Sequence, residues 1–457
     1  MKRKVTAVFD IGKTNKKFFL FDEDFQEVYR EYARFESIED EDGYPTENLG
    51  KLQNWLKKLF HRILEAEEFD VKAINFSSYG ASFVHLDENG EALTPLYNYT
   101  KPIEEDLINS FYKKYGPELE FTRQTGSSKE GLLNSGMQLY WLKHTKPEVF
   151  KKIKFSLHLP QYLSYIFTGI PLSEYTSIGC HTALWDYNKK DYHQWVYKEE
   201  IHKILPPIVS TETSINMNYN GKRIKIGVGI HDSSAALLPY VRSLTEPFVL
   251  VSTGTWSIAL NPFTSSELTT VEVTNNCINY MRINGKQVKA SRLFLGNEYK
   301  IQVKKLSEMY QVSEDYHKTV QFDEDAYYEI TKEFEHLFKW ESIKNNIELT
   351  ATELPYDTFE DAYYHLMIEL VKLQVQSIET AKGDDQITKL YVDGGFSDND
   401  VYIKLLSHYL RNMELRTTDA SLGSALGAAI SISDTQLNSK FLKKNYSLKK
   451  HVPLIIK

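Results

Sequence analysis

One pattern occurs twice along this chain, in the same order, and it constrains the fold more than any other feature. Residues 5–10 and 17–22 read as two strands around the turn Ile11-Gly-Lys-Thr-Asn-Lys16. Residues 248–252 and 256–261 repeat that hairpin around Thr253-Gly-Thr255. In the first half a helix over 49–67, with Leu52, Trp55, Leu56, Leu59, Phe60, Ile63 and Leu64 at helical spacing, precedes a strand over 73–77 that ends at Tyr79-Gly80. In the second half a helix over 362–382 precedes a strand over 389–393 that ends at Gly394-Gly395. A third pair of segments, 226–238 and 421–430, is rich in small residues that let a helix start pack closely. Three matches in one order predict a duplicated α/β domain, residues 1–240 and 241–435, with the boundary at 239–247. Residues 95–220 have no second-half counterpart of equal length and read as an insertion into the first domain, where a substrate lid or pocket is built. The basic tail, 436–457, with Lys440, Lys443, Lys444, Lys449 and Lys450, reads as a solvated packing segment.

Bulk properties agree with two domains and exclude several functions. At 457 residues the chain exceeds what a single core organises. A net charge of −8, with both signs scattered, argues against general nucleic-acid binding, which relies on a basic field. Cys180 and Cys277 are too few and too far apart for a disulfide framework or a structural zinc site. No run approaches the apolar length of a membrane span, and the N-terminal apolar stretch is too short for a signal peptide. A soluble, cytoplasmic protein is expected, acting as a monomer or homodimer without nucleic-acid or membrane partners.

Phosphoryl chemistry is suggested by three elements. In the first turn Gly12 permits close backbone approach, successive N–H groups can form an anion-binding concavity, Lys13 adds a charge and Thr14 a hydroxyl. Asp10, at a strand end, suits a hydrated magnesium ion. The Gly-Lys-Thr lacks the upstream glycine and strand–loop–helix context of a Walker A loop, and taken alone such a hairpin turn is more often only a turn. The second turn, Ser252-Thr-Gly-Thr255, has the same composition, and two such turns in equivalent places can grip a polyphosphate from both sides. The third element is Gly229-Ile-His-Asp232-Ser-Ser, whose carboxylate serves either as a helix cap or as the base that takes a proton from an attacking hydroxyl. His231 reads as a structural or sugar-contact residue, and Asp393 as a cap ahead of a glycine pair on which an adenine ring can lie.

Together these residues resemble the FGGY family of carbohydrate kinases, within the actin, hexokinase and heat-shock ATPase superfamily. The resemblance runs over residues 5–430: Asp10-Ile-Gly-Lys-Thr-Asn15 is similar to the first phosphate motif, Ser252-Thr-Gly-Thr255 to the second, and Gly229-Ile-His-Asp-Ser233 to the segment with the catalytic aspartate. Val392-Asp-Gly-Gly-Phe-Ser397 with Ser421-Leu-Gly-Ser-Ala-Leu-Gly-Ala-Ala429 resembles the adenosine motif. The resemblance implies two ribonuclease H-like, actin-like domains with an ATP and sugar cleft between them, and ATP and magnesium as cofactors. It implies Asp232 as base, Asp10 and Asp232 on the metal side, and Gly12, Lys13, Thr14, Asn15, Thr253, Gly254 and Thr255 around the phosphates. Gly394, Gly395, Asn399 and Gly423 would hold adenosine, and Tyr79, Gly80, Ser82, Tyr99, Thr176, His231 and Asp232 the sugar. Thr-Gly-Thr-Trp-Ser257 and residues 79–87 are similar to the rhamnulokinase and fuculokinase branch, which implies a ketose such as L-rhamnulose or L-fuculose. Ser82 stands where that branch carries an aspartate, and Gln138 where the family commonly has a lysine. The competing readings are a kinase of xylulokinase or gluconokinase specificity and, in another class, a non-catalytic ATP- and sugar-binding sensor. Intact Asp10 and Asp232 favour the enzyme.

Overall fold

The computed structural model describes residues 2–332, 336–343 and 354–455. Strand β1 (Arg3–Ile11) pairs antiparallel with β2 (Lys16–Asp22), which pairs with β3 (Glu27–Ala33). On its other side β1 runs parallel to β4 (Phe69–Ser78). Strands β5 (Ser214–Tyr219) and β6 (Lys222–Gly227) extend the sheet to the order β5-β6-β4-β1-β2-β3, and β7 (Ile230–His231) continues beside β4.

Strand alternation assigns each face of this sheet. Val5, Ala7, Phe9 and Ile11 point to one side, where helices α1 (Leu49–Glu65) and α2 (Leu159–Thr168) supply Leu52, Leu56, Phe60 and Phe167. The start of α1 is fixed by Asn48, whose side chain accepts the N–H of Lys51. Val8 of β1 and Phe19 and Phe21 of β2 point to the other side, into a core shared with the second half.

The second sheet repeats the plan. Its strands are β8 (Val249–Thr253), β9 (Ser257–Asn261), β10 (Cys277–Met281), β11 (Gln287–Leu293), β12 (Lys389–Gly394), β13 (Glu414–Thr418) and the short β14 (Lys449–Lys450), ordered β10-β11-β9-β8-β12-β13-β14. Val249 and Val251 face helix α5 (Phe359–Lys382), while Leu250 and Leu260 face the shared core. Helix α4 (Leu295–Met309) leads out of β11, and α6 (Asp400–Tyr409) joins β12 to β13.

Two helices fill the shared layer, and each closes the sheet of the opposite half. Helix α3 (Asp232–Ser243) follows β7 of the first sheet, yet its Tyr240 hydroxyl bonds Thr418 and Asp393 of the second. Helix α7 (Gly423–Ser431) follows β13, yet Asn75 of β4 donates to its Ala428 carbonyl and Ser431 hydroxyl at 2.8 and 2.9 Å. Where the helices cross, a Cβ on Gly427 would stand 1.8 Å from the Ala235 carbonyl oxygen, so only glycine permits the approach.

One sequence expectation needs correction. Residues 95–220 are not one insertion: α2 packs into the first core and β5 is an edge of the first sheet. The separate body between them has its own core, with Phe111, Trp141 and Trp195, and reaches the second half through Met281. The tail packs and is solvated at once: Phe441 and Tyr446 enter the shared core and residues 449–450 pair with β13, while Lys440, Lys443, Lys444, Lys449 and Lys450 stay exposed. Residues 456–457 lie outside the described residues. No helix among the described residues is long and apolar enough to cross a membrane, and Cys180 and Cys277 are both buried free thiols.

Candidate active site

Strands of the second sheet and the starts of α3 and α7 converge on a cleft of about 520 Å³, lined by Asp232, Ser252, Asp393, Gly394, Gly423 and Ser424 among others. Asp232 is the first residue of α3 and one-third exposed, so its carboxylate is reachable from the cleft. Its Oδ1 accepts the N–H of Ser233 at 2.7 Å, and His231 Nε2 stands 3.4 Å away.

The sheet registers disclose a swap between the halves. Asp10 of β1 sits opposite Ser77 of β4, and Ser252 of β8 sits opposite Asp393 of β12. Each half thus brings one carboxylate and one hydroxyl to equivalent positions, with the two exchanged. Burial raises the Asp10 pKa to about 6; the Lys17 charge opposes that shift and the Asp232 charge adds to it. Burial likewise raises Asp393 to about 6 against hydrogen bonds from Ser252 and Tyr240. Asp393 is therefore not the helix cap the sequence suggested; it is a cleft carboxylate whose role the sequence did not reveal.

In the first turn, Gly12 donates to the Asn15 carbonyl at 3.0 Å. Lys16, which sequence reasoning passed over, holds this turn from inside. Its buried ammonium bonds the carbonyls of Gly12 and Lys13 and pairs with Glu47 at 2.8 Å. Thr14 and Asn15 are exposed at the tip. Lys13 turns toward the residues expected to hold the sugar: its ammonium lies 4.7 Å from the Tyr99 ring centre and 5.4 Å from that of Tyr79. Burial lowers its pKa, with Glu47 acting in opposition.

The second turn is knotted to the glycine pair by Thr253. Its hydroxyl donates to the Asp393 carbonyl and accepts the N–H of Phe396, and its carbonyl accepts the N–H of Gly395 at 2.8 Å. The Thr253 side chain is therefore committed within the fold and shapes the turn expected to hold the phosphates. Gly254 and Thr255 remain exposed and lie against the start of α4, where Asn297 donates to the Thr255 carbonyl. Gly394 has φ +83, and a Cβ there would stand 1.9 Å from the Thr253 carbonyl oxygen. Asn399, expected at adenosine, instead caps α6 through Tyr402 N and donates to Tyr363. Trp256 is exposed and lies tilted against Phe294, outside the set of cleft residues named above.

On the sugar side, Gly80 lies against His231: a Cβ on Gly80 would be 3.0 Å from that ring. Thr176 is wholly buried, its hydroxyl donating to Glu174 and accepting the N–H of His231, so it positions His231 from behind. Glu174, also missed, gathers the N–H groups of Thr176 and Ser177 and the hydroxyls of Thr176 and Thr211. Gln138 donates to the carbonyls of Ala81 and Leu132, holding the end of the sugar-side strand. The hydroxyls of Tyr79 and Ser82 are buried without a protein partner among the described residues. Buried polar groups rarely stay unpaired, which makes these two ready to receive a polar ligand.

The family model for the N-terminal domain of the FGGY carbohydrate kinases matches residues 5–237, half of the chain. The chain belongs to the FGGY family of carbohydrate kinases. A rhamnulokinase of Oceanobacillus iheyensis is 24% identical to this FGGY chain over 200 residues, 41% of the chain and 40% of the relative. The match thus spans about two fifths of that relative's length. A carbohydrate kinase structure from Novosphingobium aromaticivorans superposes with a TM-score of 0.83 at 21% identity, covering 100% of this chain and 96% of that one. The structure of Plasmodium falciparum glycerol kinase with ADP gives 0.72 at 17% identity, covering 95% and 91%. Both likenesses establish that the FGGY fold extends over both halves.

Proposed function

We propose that this FGGY chain transfers the γ-phosphoryl group of ATP to a hydroxyl of a small neutral sugar, with Asp232 as the base. The observation that carries the proposal is the position of Asp232: a partly exposed carboxylate at the head of α3, in one cleft with Ser252, Asp393 and Gly394, beside His231 and with Tyr99 near enough to feel its charge. A sugar hydroxyl hydrogen-bonded to Asp232 would lose its proton as the bond to phosphorus forms, and Ser233 N–H and His231 would keep the carboxylate oriented. The exposed N–H groups and hydroxyls at the tips of both turns would receive phosphate oxygens, and the surface beside Gly394 and Gly423 the adenosine. Closing the two halves would exclude water from the transfer.

The residues fit a magnesium ion. Asp10 is a buried carboxylate with its pKa raised to about 6, and the Asp232 charge contributes to that rise, so two acids here lack a full counter-charge. Asp10 and Asp232 would hold the ion, which when bound would neutralise polyphosphate charge. The sequence similarity to rhamnulokinase supports a ketose such as L-rhamnulose or L-fuculose as the first candidate.

The test is coupled ADP release by purified protein with ATP, magnesium and a panel of L-rhamnulose, L-fuculose, xyluloses, L-ribulose, gluconate and glycerol. One strong responder is expected. Turnover of another sugar with both deoxyketoses inert would correct the substrate and keep the mechanism. Silence across the panel, with ATP binding demonstrated separately, would favour the sensor reading.

A further inference from the structure

The wall beside Asp232 contains a histidine that the mechanism above does not use. His181 has φ 51, in the left-handed region, and Ala183, two residues on, has φ 57. This backbone has a task in the fold: the carbonyls of His181 and Thr182 accept the N–H groups of Ser135 and Gly136 at 2.9 and 2.8 Å, which caps the helix Ser135–Thr145. That task uses main-chain atoms alone, and glycine or asparagine would perform it with less strain. A histidine at this position therefore has its reason in the side chain.

His181 Nε2 lies 3.0 Å from the Tyr280 hydroxyl, with the two rings 5.2 Å apart at 71°. The Tyr280 ring is met from another side by His231, at 6.0 Å and 88°, and Tyr280 lines the cleft with Asp232. Tyr280 belongs to β10, so this contact joins the two halves at the sugar end of the cleft. Burial, with Arg292 and His231 nearby, pushes the His181 pKa well below the ordinary histidine range, so the ring is neutral. Arg292 itself is held by Glu130 through both carboxylate oxygens, at 3.0 and 2.6 Å. Unlike Tyr280 and His231, which are buried, His181 keeps partial exposure, and its second ring nitrogen takes no protein partner among the described residues.

We infer that His181 is a specificity-determining residue whose second ring nitrogen binds a sugar hydroxyl other than the one Asp232 activates, selecting a neutral polyhydroxylated substrate. This rests on the sugar-kinase reading. A neutral imidazole can donate to or accept from a hydroxyl, and a site built for a hydroxyl discriminates strongly when that bond is lost.

The experiment compares wild type, His181→Gly and His181→Asn by coupled ADP release and by thermal-shift titration with L-rhamnulose, L-fuculose, D-xylulose, gluconate and glycerol. Both variants suit the left-handed backbone, and that gain opposes the loss of the bond to the buried Tyr280 hydroxyl, so unfolding temperatures within a few degrees of wild type are expected. His181→Gly should raise the KM of the preferred sugar by about ten-fold or more, with the KM of ATP unchanged. His181→Asn, which retains a hydrogen-bonding side chain, should recover part of the loss. A His181→Gly enzyme with wild-type sugar KM would overturn the inference, as would equal losses for sugar and ATP, which would mark a structural role. If no sugar shifts or is turned over by the wild type, the kinase reading falls first and this inference with it.

Discussion

Replacing Gly427 by alanine tests whether α3 and α7 cross in the layer between the sheets. The added Cβ would stand 1.8 Å from the carbonyl oxygen and 2.4 Å from the carbonyl carbon of Ala235, and both are main-chain atoms. No rotamer change relieves such a clash, so the helices must separate, and overpacking of this kind costs about 1–3 kcal/mol or more. Alanine also improves the helix itself by about 1 kcal/mol over glycine. Because the clash is with rigid backbone, the upper part of the first range applies, and the net loss is about 2 kcal/mol. For domains of the size of each half that lowers the unfolding midpoint by about 4–8 °C. Gly423→Ala is the control, since its Cβ would meet Ala236 at an ordinary 3.4 Å, and stability should stay within about 1 kcal/mol of the parent. Calorimetry or urea titration of both variants provides the measurement. A Gly427→Ala protein as stable as the parent would refute the close crossing and the layer built on it.

Asp393→Asn should stabilise the ligand-free protein by roughly 1–3 kcal/mol at pH 8, following a shift from 3.8 to about 6. The sign follows from the raised folded pKa: between pH 3.8 and about 6 the native state holds a proton the unfolded state has lost, so wild-type stability falls as pH rises through that window. The gain in the variant should accordingly vanish below pH 4, as followed by thermal unfolding across pH. Lys16→Met should destabilise the protein by about 3–5 kcal/mol, because Glu47 is left beside buried, unpaired carbonyls; urea titration reads this directly. The same change should weaken nucleotide binding through the loosened first turn, measured by ADP titration.

Local pattern carried much of the fold. Both hairpins, both amphipathic helices and both glycine-ended strands were legible because strand alternation and helical spacing are written within short windows, as in Leu52, Leu56 and Phe60. The small-residue segment 421–430 was legible as a close-packing helix, but its partner on Ala235 was not, because that contact spans the two halves. The same limit hid Lys16 and Glu174: their partners Glu47 and Thr211 are 31 and 37 residues away. The bonds that Thr253 and Asn399 make within the fold were not legible either, because a motif position does not specify which way a hydroxyl or amide points. Asp393 was visible as a residue but not as a cleft acid, since only the register opposite Ser252 shows the exchange with Asp10 and Ser77.

Asp232 is the residue on which the proposed transfer turns. Asp232→Asn keeps shape and the bond from Ser233 N–H while removing the proton acceptor. Single-turnover phosphorylation of the sugar the wild type accepts, measured beside ADP affinity by calorimetry, separates chemistry from binding. If Asp232 is the base, the rate should fall by about 10²–10⁴-fold with nucleotide affinity within about two-fold of wild type. A variant that phosphorylates at close to the wild-type rate would contradict it.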